Sequence, residues 1–132
     1  YIPELVVWHH RRGGLFPHLK QVGAYGLHRG FFTKEYPETS RKIIYFIPSG
    51  FFIFTLLSFC YFIVPLAVKN LLLIGWTVYG LGMVKAVFDF LKYEKLPVSL
   101  CAVGYTFCTH LIYGARFIQG FIFTTRLVSK FR

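Results

Sequence analysis

The chain has 132 residues, of which 55% are hydrophobic, 20% aromatic and only 15% charged. Soluble domains average about 25% charged residues, so this composition excludes an ordinary soluble domain, along with disordered, collagen-like and coiled-coil chains, and indicates a lipid-facing surface. The net charge of +10 would suggest nucleic-acid binding in a soluble protein. Here the basic residues lie before, between and after apolar runs. These positions favour contact with anionic lipid headgroups instead of nucleic acid.

The first 42 residues form a basic segment ahead of the apolar part of the chain. Seven basic and three acidic residues give this segment a net charge of +4. Its frequent glycines and prolines predict an irregular structure with at most short helices. These residues are Gly13, Gly14, Pro17, Gly23, Gly26, Gly30 and Pro37. Because the segment has no core of its own, we expect residues 1–42 to be a partner-contacting extension and residues 43–132 to be a transmembrane helical domain.

Three apolar runs follow, at about residues 43–68, 71–91 and 96–125. The first run has no charged residue and, at roughly 1.5 Å per residue, makes a helix of about 39 Å, longer than the hydrocarbon core of about 30 Å. The break at Lys69 and Asn70 is short for an antiparallel turn. The runs predict an all-α integral membrane protein with three transmembrane helices, or with two if the second run is a continuation or a re-entrant segment.

The second run contains two charged residues, Lys85 and Asp89, spaced four apart. On a helix they share a face and can pair, which lowers the cost of roughly 2.5–3.5 kcal/mol that each would have at mid-membrane. Three interpretations remain open at this point. The pair can lie at the interface with the lysine stem reaching the headgroups, it can belong to a proton path or a quinone contact, or it can contact a partner subunit.

His110 is the only histidine inside an apolar run, and Gly114 follows one helical turn later. A bare backbone at Gly114 would let a flat ligand or another helix come close to the imidazole, and this spacing is typical of heme-binding helices. His110 would then be the metal ligand, Arg116 would suit a heme propionate or a lipid phosphate, and a second axial ligand would come from another chain. The alternative is a histidine hydrogen-bonded to a neighbouring helix.

The sequence contains no Ser/His/Asp set, no phosphate-binding loop and no paired carboxylates. Its three cysteines, Cys60, Cys101 and Cys108, all lie inside apolar runs. Cysteines in such positions behave as small hydrophobic residues and not as a disulfide or zinc framework. We therefore expect a non-catalytic subunit that works within a larger assembly.

Four short motifs carry a resemblance to a known family. They are Phe16-Pro17-His18-Leu19, the pair His28-Arg29, the His-x-x-x-Gly-x-Arg segment of residues 110–116, and Gly80-Leu81-Gly82 with Asp89-Phe90. They resemble elements of the membrane-anchor subunits of succinate dehydrogenase, respiratory complex II. In that family a Pro-His-Leu segment and a His-Arg pair precede the first helix, and a His-x-x-x-Gly-x-Arg segment carries a heme ligand.

The resemblance implies an integral protein of the mitochondrial inner membrane that docks a flavoprotein, an iron–sulfur subunit and a second anchor subunit. It also implies a role in electron transport, with His28, Arg29 and Asp89 at a ubiquinone site. His110, Gly114 and Arg116 would contribute to a heme b shared with another subunit. Succinate oxidation itself would belong to the flavin and iron–sulfur partners.

A weaker resemblance points to a small single-helix subunit of the cytochrome bc complex. It rests on Phe16-Pro17-His18 and on Ser40-Arg41-Lys42-Ile43-Ile44, followed by Pro48 and Phe51. The same composition also suits an accessory structural subunit of another respiratory complex or of ATP synthase, with no cofactor role. These remain the alternatives to a complex II anchor.

Overall fold

A computed structural model describes residues 13–127. The described chain is all-α and contains no strand, which confirms the all-α part of the predicted fold class. Its helices are α1 (Leu15–Glu35), α2 (Pro37–Ser40), α3 (Ile47–Phe59), α4 (Leu66–Phe90) and α5 (Leu96–Ile118). A 3₁₀ turn, Ile43–Tyr45, precedes α3, and a π-helical turn, Gln119–Phe123, extends α5.

The first helix corrects the expectation of an irregular N-terminal segment, because α1 is 21 residues long. Gly23, Gly26 and Gly30 lie on one face of α1, and all three are buried. A Cβ atom at Gly26 would lie 2.7 Å from the carbonyl oxygen of Tyr113, and one at Gly30 would overlap the carbonyl oxygen of Phe117. The glycines therefore let two backbones touch, and this packing outweighs their low helix propensity of about 1 kcal/mol each.

Helix α1 runs in the same direction as α5, because their contacts advance together along both helices. His18 Nε2 and Thr109 Oγ1 share a hydrogen bond of 2.9 Å near the start of α1. Near the end of α1, Lys34 Nζ donates to the carbonyl oxygen of Thr124, just beyond the π-helical turn. A polar helix therefore accompanies α5 from about residue 105 to its end.

The first predicted span is interrupted in the structure. Helix α3 ends at Phe59, and α4 begins at Leu66 with Pro65 as its N-cap residue. Proline has no N–H to donate, and it disfavours helical geometry in the residue before it, so the chain turns ahead of Pro65. Lys69, where sequence analysis placed the break, lies inside α4.

Two helical segments, Leu66–Phe90 and Leu96–Phe123, are long and apolar enough to cross a membrane. The apolar stretch Ile43–Phe59 is shorter, and its 13-residue helix α3 is about 20 Å long at 1.5 Å per residue. Leu72 is the one buried residue of α4. Most of the large aliphatic side chains of α4 are exposed, which favours membrane association.

Candidate functional site

A cavity between α1 and α5 brings two of the three predicted quinone-site residues together. His28 and Arg29 line it with Tyr25 and Phe32 from α1 and Tyr113 from α5, and its volume is about 660 Å³. Tyr25, His28 and Phe32 share a helix face because they are three and four residues apart. The volume falls in the usual range for small-molecule sites, roughly 300–1,000 Å³.

The guanidinium of Arg29 is held by an aromatic ring from the 3₁₀ turn. Its Cζ atom lies 4.2 Å from the ring centroid of Tyr45. Such a cation–π contact contributes about 0.5–2 kcal/mol, depending on how far the pair is removed from water. The contact restricts the long arginine side chain at the edge of the cavity without using its N–H donors.

The cavity combines a fixed cation, an imidazole, two phenol groups and a phenylalanine ring, and none of its lining residues is a carboxylate. Arginine N–H groups form strong hydrogen bonds with oxygen acceptors, especially negatively charged ones. Aromatic side chains favour stacked or edge contacts with other rings. The arrangement therefore suits a flat ring that carries oxygen acceptors.

Asp89, the third predicted quinone-site residue, does not line this cavity. One carboxylate oxygen of Asp89 lies 2.5 Å from Lys85 Nζ, and the other lies 2.8 Å from Lys92 Nζ. The pairing of Lys85 with Asp89 that the i, i+4 spacing predicted is present, with Lys92 as a second partner. All three side chains are substantially exposed, so the cluster contributes little to stability.

His110 lies in a cluster of aromatic rings between α3, α4 and α5. Its Nδ1 atom shares a hydrogen bond of 3.2 Å with the hydroxyl of Tyr79, and its ring centroid is 5.7 Å from that of Phe51. Next to this pair, Trp76 Nε1 donates to Ser58 Oγ over 2.8 Å. The interpretation of His110 as a residue that is hydrogen-bonded to a neighbouring helix therefore matches the geometry.

The predicted heme residues do not form a face that is open to a porphyrin. Gly114 is buried, and a Cβ atom there would overlap the carbonyl oxygen of Pro48 and lie 2.9 Å from Phe52 Cβ. Helix α3 thus occupies the bare backbone that a flat ligand would need. Arg116 donates through Nη1 to Gln119 Oε1 over 2.6 Å, and its stem packs beside Gly23 on α1. The set His110, Gly114 and Arg116 therefore does not fit a heme.

Sequence reasoning missed the aromatic residues of the cavity. Tyr25 and Phe32 share a face with His28 only if residues 15–35 form a helix. The signal for that helix was the spacing of Gly23, Gly26 and Gly30, which is three and four residues and places all three on one face. Tyr113 joins the site through the pairing of α1 with α5, which a single sequence does not reveal.

The cavity between α1 and α5 is thus the candidate functional site. Comparisons of the chain with protein-family models, with curated proteins and with solved structures found no match. In the described part of the chain, no three His, Cys, Asp or Glu side chains are grouped so as to hold a metal ion.

Proposed function

We propose that this chain is a small transmembrane subunit of a mitochondrial respiratory-chain complex, and that it is an anchor of complex II in the inner membrane. It docks the flavoprotein and iron–sulfur subunits of succinate dehydrogenase beside a second anchor subunit and helps to form the ubiquinone site. The observation that carries this proposal is the cavity that unites His28 and Arg29. The two long apolar helices support a place in the membrane.

In this role the chain binds and orients ubiquinone and does no bond chemistry itself. The Arg29 guanidinium, held by Tyr45, donates a hydrogen bond to one carbonyl oxygen of the quinone ring. This bond strengthens as the oxygen gains negative charge during reduction. The rings of Tyr25, Phe32 and Tyr113 enclose the flat headgroup, and the apolar tail leaves along the exposed helices. Electrons come from the iron–sulfur partner.

The exposed side of α1 is the proposed docking surface for the catalytic subunits. Tyr25 and Phe32 share one face of α1 and are 61% and 38% exposed, respectively. Aromatic side chains are enriched at protein interfaces. Because both residues also line the cavity, a docked iron–sulfur subunit would close the quinone site.

The proposal is tested by purifying the tagged chain in mild detergent with whatever accompanies it. We expect a flavoprotein and an iron–sulfur protein to co-migrate with it on a native gel, at a band with succinate dehydrogenase activity. Mass spectrometry identifies the accompanying chains. Co-migration with another respiratory complex and no succinate-dependent stain would contradict the anchor assignment.

Arg29→Gln tests the quinone site in the same preparation. Losing a charge-assisted hydrogen bond costs about 1.5–3 kcal/mol, so we expect the KM for quinone to rise roughly ten- to a hundredfold. Reduction of a water-soluble dye that bypasses the quinone site should not change. Lys20→Gln removes an exposed charge from the same helix outside the cavity and serves as the matched control. An equal KM in both variants would remove Arg29 from the site.

A second candidate function is that of an accessory structural subunit of another respiratory complex or of ATP synthase. Three helical glycines of the apolar helices favour it: Gly80, Gly82 and Gly104 have no atom within 4 Å of where a Cβ would stand. Small residues on transmembrane helices let a neighbouring helix approach closely. In this case Gly104→Leu would reduce assembly of the host complex, and the turnover of the complexes that still assemble would be normal.

A further inference from the structure

Two apolar grooves flank the short helix α3. The first lies between α3 and the end of α5, includes Ile53 and Phe121 in its walls, and has a volume of about 340 Å³. The second lies between α3 and α4, includes Phe54 and Val78 in its walls, and has a volume of about 500 Å³. Gly50 belongs to both grooves.

The grooves meet over Gly50. No atom lies within 4 Å of where its Cβ would stand, so nothing separates the two depressions at this point. The hydroxyl of Ser49, in the wall of the first groove, is already used in a hydrogen bond of 3.3 Å to the carbonyl oxygen of Gly114. The surface that remains is apolar on both sides of α3, and it presents no free hydrogen-bonding group of that serine to an occupant.

Basic residues lie directly ahead of the helix that both grooves flank. Arg41 and Lys42 are exposed directly ahead of the 3₁₀ turn that leads into α3. At about 20 Å, α3 is shorter than the hydrocarbon core of about 30 Å. This face of the protein therefore offers a short hydrophobic helix with cations at its N-terminal end, where anionic headgroups are attracted.

We propose that an anionic two-chain phospholipid binds across α3, with one acyl chain in each groove and its phosphate at Arg41 and Lys42. Two separate grooves that meet at a glycine match a ligand with two tails. A partner helix, about 10 Å wide with its side chains, would instead need a single broad groove. The site rests on the membrane placement of α3 to α5 and does not depend on the quinone cavity.

The experiment uses the chain in its native complex, reconstituted into nanodiscs of phosphatidylcholine with phosphatidylglycerol. The complex is then released from the nanodiscs in mild detergent. Native mass spectrometry then counts the lipids that remain bound. We expect Gly50→Leu, which fills the junction of the grooves, to lower retained phosphatidylglycerol at least fivefold. Gly50→Ala adds one methyl group in open space and should retain it. Ala67→Leu adds three carbon atoms, against four in Gly50→Leu, at an exposed position of α4 outside both grooves, and should also retain it.

A combined Arg41→Gln and Lys42→Gln variant separates the headgroup from the tails. We expect it to lose its preference for phosphatidylglycerol over phosphatidylcholine while lipid still binds.

Equal retention of phosphatidylglycerol in Gly50→Leu and Ala67→Leu would contradict the proposed lipid site. Photo-crosslinking of a protein helix to position 50 in the native complex would contradict it as well. If Gly50→Leu does not assemble, Val78→Trp fills the second groove from α4 and carries the same expectation. Release of the chain from membranes by alkaline carbonate would overturn the membrane placement itself, whereas loss of quinone reduction alone would leave the lipid site untouched.

Discussion

Gly30→Ala is a direct test of how α1 packs on α5. In the native chain the backbone of Gly30 meets the backbone of α5. An added Cβ would overlap the carbonyl oxygen of Phe117 and lie 2.8 Å from the amide nitrogen of Phe121. Both contacts are backbone atoms inside helical turns, so no flexible side chain can move aside. The two helices would have to separate to admit the methyl group.

The magnitude follows from two opposing effects. Alanine is favoured over glycine in a helix by about 1 kcal/mol, whereas overpacking a tight interface costs typically 1–3 kcal/mol. With rigid contact atoms the upper value applies, so we expect Gly30→Ala to destabilise the docked helix by about 2 kcal/mol. Gly50→Ala adds a methyl group to α3 in open space, does not touch α1, and serves as the control. The expected difference of about 2 kcal/mol is roughly thirtyfold in the population of undocked α1.

Limited trypsin digestion measures this population, because Lys20 lies within α1 and cleavage there requires the helix to open. When opening and closing are fast, the cleavage rate follows the equilibrium population of the open form. We expect cleavage after Lys20 to be strongly accelerated in Gly30→Ala and unchanged in Gly50→Ala. Equal cleavage rates in the two variants would refute the close backbone contact between α1 and α5.

Three further predictions concern the candidate site and its surroundings. Tyr45→Leu removes the ring beneath Arg29, so the quinone KM should rise severalfold, and Tyr45→Phe should restore it in steady-state assays of the purified complex. Asp89→Asn should leave the quinone KM unchanged because the carboxylate of Asp89 lies outside the cavity. An increase in this KM would indicate that Asp89 belongs to the quinone site. His110→Phe breaks the hydrogen bond to Tyr79 and should lower stability by about 0.5–1.5 kcal/mol in thermal unfolding; loss of a b-type reduced-minus-oxidised spectrum would instead identify His110 as an iron ligand.

The apolar helices could be predicted from the sequence because their signal is local. Helix α4 ends at Phe90 and α5 begins at Leu96, within one residue of the limits that hydrophobicity and charge indicated. The break before α4 lies at Pro65 and not at Lys69, where the charge predicts it. A single lysine near a helix end can reach the headgroups, whereas proline removes a backbone donor and constrains the residue before it. Backbone chemistry was the stronger signal.

Helix α1 and the cavity could not be predicted in the same way, because both depend on a distant part of the chain. A helix that contains Gly23, Gly26 and Gly30 is disfavoured when it is isolated. When it packs against α5, the same glycines form its contact surface. His28 and Arg29 were found because a histidine–arginine pair is visible in sequence. Tyr113 could not be predicted as a cavity residue, because it lines the cavity only when α1 is docked on α5.

The parallel course of α1 and α5 bears on how the protein is made. Helix α5 carries Thr109 and Arg116 within its apolar length, and α1 covers both, through His18 and Gly23 respectively. Until α1 docks, these polar groups are uncovered, and α5 alone is a less apolar helix than its length suggests. Docking of α1 is therefore a required step in forming the mature protein, because it covers polar groups that the other helices leave exposed.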